Sequence, residues 1–118
     1  MPLLSEVLAR ARKHVAGGWH EPLSLASDGT ICDAQAEGIA KYCLHDALIA
    51  AAAGDVDAHL AAEAELAQQL PADLPYADRW GHAMTPNTWA AMPGRTHDEV
   101  LALFTAAQGH ARAEESRR

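Results

Sequence analysis

The stretch "TWAAMPGRTHDEVLALF", Thr88–Phe104, contains both a turn and the start of a helix. Its aromatic and apolar first half ends in a Pro-Gly turn, and a helical pattern follows. Thr96 and Glu99 have the spacing of a capping box, in which each side chain bonds the backbone N–H of the other residue. Asp98 and Glu99 also place negative charge where the helix dipole favours it. The stretch predicts the last helix, with an inward stripe of Val100, Leu101, Phe104 and Ala107.

The "PGRTH" loop in this stretch, residues 93–97, allows two interpretations. Arg95 and His97 could be aimed at a ligand. Alternatively the loop only starts the helix, because capping already accounts for the residues around them. We favour the helix start.

Upstream, the spacing of apolar residues predicts a first helix over residues 2–16, which Gly17-Gly18 ends. A second helix is expected from a cap at Asp33 to Gly54. Its stripe contains Ala36, Ile39, Ala40, Cys43, Ala47, Ala50 and Ala51, and Leu44 and Leu48 widen it.

A third helix is expected over residues 56–70, capped by Asp55 and stopped by Pro71. Its inward side is predicted to hold Val56, Leu60, Ala64, Ala67 and Leu70, and its outward side Glu63 and Glu65.

Two segments between the helices carry no long helical period. "SDGT", residues 27–30, predicts a tight turn and a small hairpin, because Asp-Gly suits such turns. Residues 71–95 form a loop rich in Pro and Gly that also holds Tyr76, Trp80, Met84 and Trp89, with a short helical turn expected at Thr85-Pro86. The sequence therefore predicts an all-α fold: a four-helix single domain over residues 1–118, with a hairpin-like turn after the first helix, an aromatic-rich loop before the last, and a frayed tail at about 110–118.

The composition favours helices and an acidic surface. Hydrophobic residues make up 49% of the 118 residues, mostly as Ala, and the net charge is −7. Residues 21–78 hold eleven Asp and Glu against one basic residue, Lys41. Such a surface keeps a protein in solution, or it meets a basic partner. Nucleic-acid binding is disfavoured, because phosphate neutralisation needs clustered Lys and Arg.

Several targeting and metal-binding motifs are absent from the sequence, and their absence sets our expectations for the compartment and the chemistry. No signal-peptide pattern and no stretch apolar enough for a membrane span is visible, so we expect a cytoplasmic protein with reduced thiols. Seven His and two Cys occur without CxxC, HxxxH or HExxH spacing, so neither a metal site nor a cofactor is expected. Cys43 reads as a small core residue and Cys32 as more exposed.

Three motifs resemble a small family of uncharacterised bacterial and phage domains. The family pattern runs Gly-Trp, then Trp-Cys-Leu-x-Gly-Ala-Leu, then Trp-Asn-Asp-x-Pro-Gly-Arg-Thr with Glu-Val following. This chain has "GW" at 18–19, "YCLHDAL" at 42–48 and "WAAMPGRTHDEV" at 89–100. Tyr42, Asp46, Ala90 and Ala91 depart from the pattern. The resemblance implies a fold rather than an activity. One hypothesis is that Asp46 supplies a polar contact near the Trp89 turn.

Two functions remain open. The first is a non-catalytic interaction or regulatory module that meets a protein partner, which could be basic, through its acidic face or its Trp80–Trp89 loop. In the phage or mobile-element setting that the resemblance implies, it would regulate or inhibit a host protein. The second is a small enzyme or ligand binder with a site between the 80–97 loop and the second helix. A homodimer is also open. The candidate binding residues are Trp80, His82, Trp89, Arg95, His97 and Asp46.

Overall fold

The computed structural model describes residues 3–32, 38–71 and 85–117. Within them the chain forms five helices and a three-stranded antiparallel sheet. The predicted all-α, four-helix fold is therefore wrong, and the fold mixes α and β structure. The helices are α1 (Leu4–Gly17), α2 (Leu44–Ala52), α3 (Val56–Gln68), α4 (Pro86–Ala90) and α5 (His97–Ser116), and the strands are β1 (Ser24–Ala26), β2 (Ile31–Cys32) and β3 (Ile39–Lys41).

The sheet has the order β2-β1-β3, with β1 in the centre. The predicted hairpin is confirmed, since Leu25 pairs with Ile31 across the Asp-Gly turn. At this turn the Asp28 side chain accepts a hydrogen bond from the backbone N–H of Thr30 at 2.9 Å, and Gly29 adopts a φ of +86°. Glycine adopts this left-handed conformation without the penalty that a Cβ would bring.

The second helix is shorter than the sequence predicted. The Asp33 cap lies outside the described residues, and Ile39–Lys41 form strand β3 instead of a helical turn. Leu25 of β1 pairs with Lys41, and the backbone N–H of Tyr42 donates to the carbonyl of Gly18 at 2.8 Å. Pairing with β1 and with the end of α1 thus overrides the helical preference of this Ala-containing segment.

The core lies where α1, α2 and α5 meet, and α3 closes one side. The apolar residues whose spacing predicts the first and last helices face inward, apart from Leu3, which is exposed, and Leu4 and Leu101, which are partly buried. Many core residues are Ala, and such small side chains let helix backbones approach closely. The larger members of the core are Val7, Leu8, Val15, Leu44, Leu48, Leu66, Trp89, Val100, Leu103 and Phe104.

Helix α3 turns the opposite way from the prediction. Glu65, expected outside, is buried, whereas Val56 and Leu60, expected inside, are 65% and 56% exposed. The buried side of α3 is formed by Ala58, Ala62, Glu65 and Leu66. Two alanines at the contact allow close packing, and His110 of α5 provides a partner for the buried Glu65 carboxylate. These contacts select a face that apolar spacing alone did not identify.

Helix α5 begins where the sequence predicts, but it ends later than predicted. The capping box is confirmed, since the Thr96 hydroxyl accepts from the N–H of Glu99 and the Glu99 carboxylate accepts from the N–H of Thr96. Residues 110–116, for which a frayed tail was predicted, are helical in the structure. The helix continues to Ser116, and the Glu115 carboxylate accepts hydrogen bonds from both the backbone N–H and the hydroxyl of Ser5.

Across the described ranges, none of the helices combines the length and apolar composition needed to cross a membrane.

Candidate functional site

A carboxylate from the segment before the sheet holds the start of α2. Oε2 of Glu21 accepts hydrogen bonds from the backbone N–H of Leu44 and from Nε1 of Trp19, both at 2.7 Å. The first N–H groups of a helix lack partners inside the helix, so Glu21 satisfies one of them. Burial nevertheless raises the pKa of Glu21 above its usual value, because desolvation outweighs these hydrogen bonds.

Asp46 is buried next to the sheet, with 8% of its surface exposed. The Ser24 hydroxyl donates to Oδ2 of Asp46 at 2.7 Å and accepts from the backbone N–H of Cys43 at 2.9 Å. Asp46 therefore links α2 to β1, which does not support the hypothesis of a polar contact near the Trp89 turn. Cys43 is the N-cap of α2, with its sulfur accepting from the N–H of Asp46. Burial raises the pKa of the Cys43 thiol, which keeps the nucleophilic thiolate scarce.

Arg95 and Trp89 form one packed unit at the Pro-Gly turn. The guanidinium carbon lies 4.0 Å from the centre of the Trp89 ring, a cation–π contact. Nε of Arg95 donates to the carbonyl of Trp89 at 3.0 Å, and a terminal nitrogen donates to the Glu99 carboxylate at 3.0 Å. With Trp89 buried and the Arg95 side chain 16% exposed, this unit closes the turn against the start of α5.

His97 joins the start of α5 to the end of α1. Its Nε2 lies 2.7 Å from the carbonyl oxygen of Val15, so this nitrogen must carry the proton and donate it. The His97 ring also stacks on the Trp19 ring, with centroids 5.9 Å apart and planes inclined by 17°.

The structure thus distributes the predicted binding residues over separate contacts. Trp89 and Arg95 contact each other, His97 packs on Trp19, and Asp46 bonds Ser24. Trp80 and His82, with Tyr76 and Met84, lie outside the described residues. A binding role for these six candidates stays a prediction.

An open groove, which we call the α2–α4 groove, lies where the start of α2 meets α4, in the region between the 80–97 loop and the second helix for which the sequence predicts a ligand site. Its volume is about 580 Å³. Polar residues from three segments line it: Glu21, His45, and Asn87 with its neighbour Thr88. Its remaining lining residues are Pro22, Ala91, Met92 and Pro93.

Next to this groove lies a cluster that the sequence patterns did not reveal. His45 of α2 and His59 and Glu63 of α3 each offer one ligand atom, and these atoms lie within 4.8 Å of one another. We call these three residues the histidine cluster. His59 and Glu63 are one helical turn apart, a signal present in the sequence. His45 joins them only through the packing of α2 against α3, which spacing along the chain does not predict.

A second groove runs between α1, α3 and the end of α5, and it has a volume of about 400 Å³. We call it the acidic groove, because four acidic residues line it together with apolar ones. Its acidic members are Asp57, Glu65, Glu114 and Glu115, and its apolar members are Leu3, Leu4, Val7, Ala58, Ala61 and Ala111.

The exposed apolar residues of α3 lie beside the acidic groove. Val56, Leu60, Ala64 and Ala67 are all exposed and recur at helical spacing, and we call them the α3 stripe. Asp57 and Ala61, each one residue further along than a stripe member, belong to the acidic groove. His59 and Glu63 border the stripe on its other side, three residues after Val56 and Leu60.

Comparison with known proteins identifies a family but no characterised relative. No curated protein and no solved structure matches this chain. A family model matches residues 1–110, nearly the whole chain. The chain therefore belongs to DUF6197, a family of unknown function.

Proposed function

We propose that this protein is a non-catalytic interaction module that binds a basic, amphipathic segment of a protein partner. The α3 stripe and the acidic groove together form the binding surface. The observation that carries the proposal is the exposure of the α3 stripe, because its helical spacing is that of a face that packs against something.

The apolar contribution comes from three large side chains. Leu3, Val56 and Leu60 are 52%, 65% and 56% exposed. Removing such side chains from water contributes roughly 25 cal/mol for each Å² of apolar area buried, which the entropic cost of association partly offsets. An amphipathic partner helix that presents Leu or Ile at helical spacing has the shape to cover them.

The charge around these residues indicates which partner fits. The acidic groove holds four carboxylates, and residues 42–78 contain no Lys or Arg. Three of the carboxylates already have partners within the chain: Glu65 bonds His110, Glu114 lies 2.6 Å from Arg117, and Glu115 accepts from Ser5. A basic partner adds attraction at Asp57 and along the rim, whereas a second copy of this chain would bring carboxylates towards carboxylates.

Calorimetric titration with a synthetic peptide tests this proposal. The peptide carries Leu along one helical face and Lys along the other, and a matched peptide replaces each Lys with Glu. We expect binding of the Lys peptide only, weakening as salt rises. Leu60→Ser should weaken it about tenfold, which corresponds to 1.4 kcal/mol.

Ile31→Ser provides the matched control, since Ile31 is 64% exposed on β2, away from α3. It should leave the affinity unchanged. Equal binding by the Leu60 and Ile31 variants, or equal binding of the Glu peptide, would refute the proposed surface. Sizing chromatography tests whether the surface binds a second copy of this chain instead of another protein. A dimer that Leu60→Ser dissociates would show that it does.

The α2–α4 groove favours a second candidate function, the binding of a small ligand. Glu21, His45 and Asn87 converge there from three segments, and converging polar groups in a concave site are typical of ligand pockets. A thermal-shift screen of small metabolites tests it. A ligand whose stabilising effect disappears in Asn87→Ala would support this candidate, and a screen without such a ligand would count against it.

The proposal places the protein in the cytoplasm. Cys32 and Cys43 are both free thiols in the structure, and free thiols suit a reducing compartment.

A further inference from the structure

The histidine cluster has the composition of a transition-metal site. Its members come from two packed helices, His45 from α2 and His59 and Glu63 from α3, and their ligand atoms lie within 4.8 Å of one another. We propose that these three side chains bind one divalent transition-metal ion of the zinc class. This inference is independent of the partner-binding function proposed above.

The separation of the ligand atoms suits such an ion. Ligand atoms about 2.0–2.1 Å from a tetrahedral metal lie about 3.3 Å from one another. Nε2 of His59 and Oε2 of Glu63 are 3.6 Å apart, close to that separation. Since all three ligand atoms lie within 4.8 Å of one another, side-chain movements of up to about 1.5 Å bring them to the separation that an ion requires.

His59 also has a nitrogen without a partner. Its Nε2 is buried and makes no hydrogen bond, because 3.6 Å to Glu63 is too long for one. The ring instead meets the His45 ring edge to face, with centroids 5.2 Å apart. A buried ring nitrogen without a partner costs free energy, and a metal ion would use its lone pair.

Asn87 of α4 is placed to orient His45. The Asn87 amide lies 3.2 Å from Nδ1 of His45, and its oxygen, Oδ1, is buried without a partner. A half-turn of the amide would direct Oδ1 to an Nδ1–H group of His45. This tautomer leaves Nε2 of His45 with a lone pair for the metal. Histidines that bind metals commonly donate their second N–H to such an oxygen.

The donor set decides between classes of ion. Two imidazole nitrogens and one carboxylate suit Zn²⁺, Co²⁺ or Ni²⁺, whereas Mg²⁺ and Ca²⁺ prefer oxygen ligands alone. Three protein ligands leave a fourth tetrahedral position for water or another ligand. His45 and Asn87 also line the α2–α4 groove, so a ligand in that groove lies next to the proposed ion.

The test uses the untagged chain after treatment with a chelator. Zn²⁺ affinity is measured by competition with a chromophoric chelator, and Co²⁺ is added as a visible probe of coordination. We expect one equivalent of Zn²⁺, the absorption bands of tetrahedral Co²⁺, and a melting temperature that rises with Zn²⁺ concentration. His45→Ala and His59→Ala should each weaken Zn²⁺ binding at least about tenfold.

Glu63→Gln provides a variant that keeps the fold, because the Glu63 side chain is 30% exposed and the change preserves its shape. It should also weaken Zn²⁺ binding. His14→Gln is the matched control, since His14 of α1 packs on the Tyr42 ring and lies outside the cluster. Unchanged affinity in the three cluster variants, or an equal loss in His14→Gln, would overturn the proposal.

Discussion

Single residues tie the sheet and the helices together at the start of α2. Glu21 bonds the N–H of Leu44, and Ser24 bonds both Cys43 and Asp46. Each link joins residues about twenty positions apart, so folding must bring the strand and the helix together before any of them forms. Asp46, one of the candidate binding residues from the sequence, is used in one of these links.

Glu21 gives a prediction about pH. Because burial raises the pKa of Glu21 in the folded protein, its contribution to stability is present at acid pH and is lost as the pH rises through the folded pKa. Gln at this position cannot ionise, yet it can still accept the same two hydrogen bonds. We expect the free energy of unfolding of Glu21→Gln, relative to the original protein, to improve between about pH 4 and about pH 7. Urea denaturation at both pH values measures it.

Glu99→Gln is the matched control with the opposite sign. Hydrogen bonds from Thr96 lower the pKa of Glu99, so its contribution is present above the unfolded pKa and is lost as pH falls. The free energy of unfolding of this variant, relative to that of the original protein, should decrease as the pH rises. The same direction of change in both variants would contradict the assignment.

At the scale of elements, the junction between α1 and β3 depends on a glycine. Tyr42 donates its N–H to the Gly18 carbonyl, which brings the two backbones together. A Cβ built at Gly18 would lie 2.3 Å from the carbonyl oxygen of Ala40, closer than any real contact. Only glycine therefore allows β3 to approach the end of α1 in this way.

Gly18→Ala should destabilise the protein by about 1–3 kcal/mol, the usual range for overpacking. Gly17→Ala is its control, because a Cβ at Gly17 meets no atom within 4 Å. At the end of α1 this change should be neutral or stabilising by up to about 1 kcal/mol. Chemical denaturation of both variants compares them, and equal effects would show that the close approach does not exist.

Elements defined by local signals were predictable from the sequence. The Thr96–Glu99 capping box, the Asp28–Gly29 hairpin and the stripe of α1 all depend on neighbouring residues. Two predictions were wrong for the same reason. Strand β3 forms because residues 39–41 meet β1, and α3 turns as it does because His110 receives Glu65. Local propensity does not contain such long-range contacts.

The candidate sites were less predictable than the elements. His59 and Glu63 share a helical turn, but His45 lies fourteen residues before His59 and approaches it only across α2 and α3. The acidic groove likewise combines residues from both ends of the chain. The sequence shows the acidic charge and the repeating apolar residues of α3. It does not show which face of α3 is buried.

On the scale of the whole molecule, both proposed binding sites lie beside the exposed face of α3. The acidic groove lies along one side of its exposed stripe and the histidine cluster along the other. A partner seated on the stripe would therefore lie close to both. The orientation of α3 is the structural claim on which the proposed interaction surface depends.

Leucine-to-alanine changes on the two faces of α3 test that orientation most directly. Leu66 is completely buried and Leu60 is 56% exposed. In urea denaturation, Leu66→Ala should cost about 2–5 kcal/mol of the free energy of unfolding. Leu60→Ala should stay within about 0.5 kcal/mol of the original protein. A loss at Leu60 as large as that at Leu66 would show that the α3 stripe is part of the core and is not a surface for a partner.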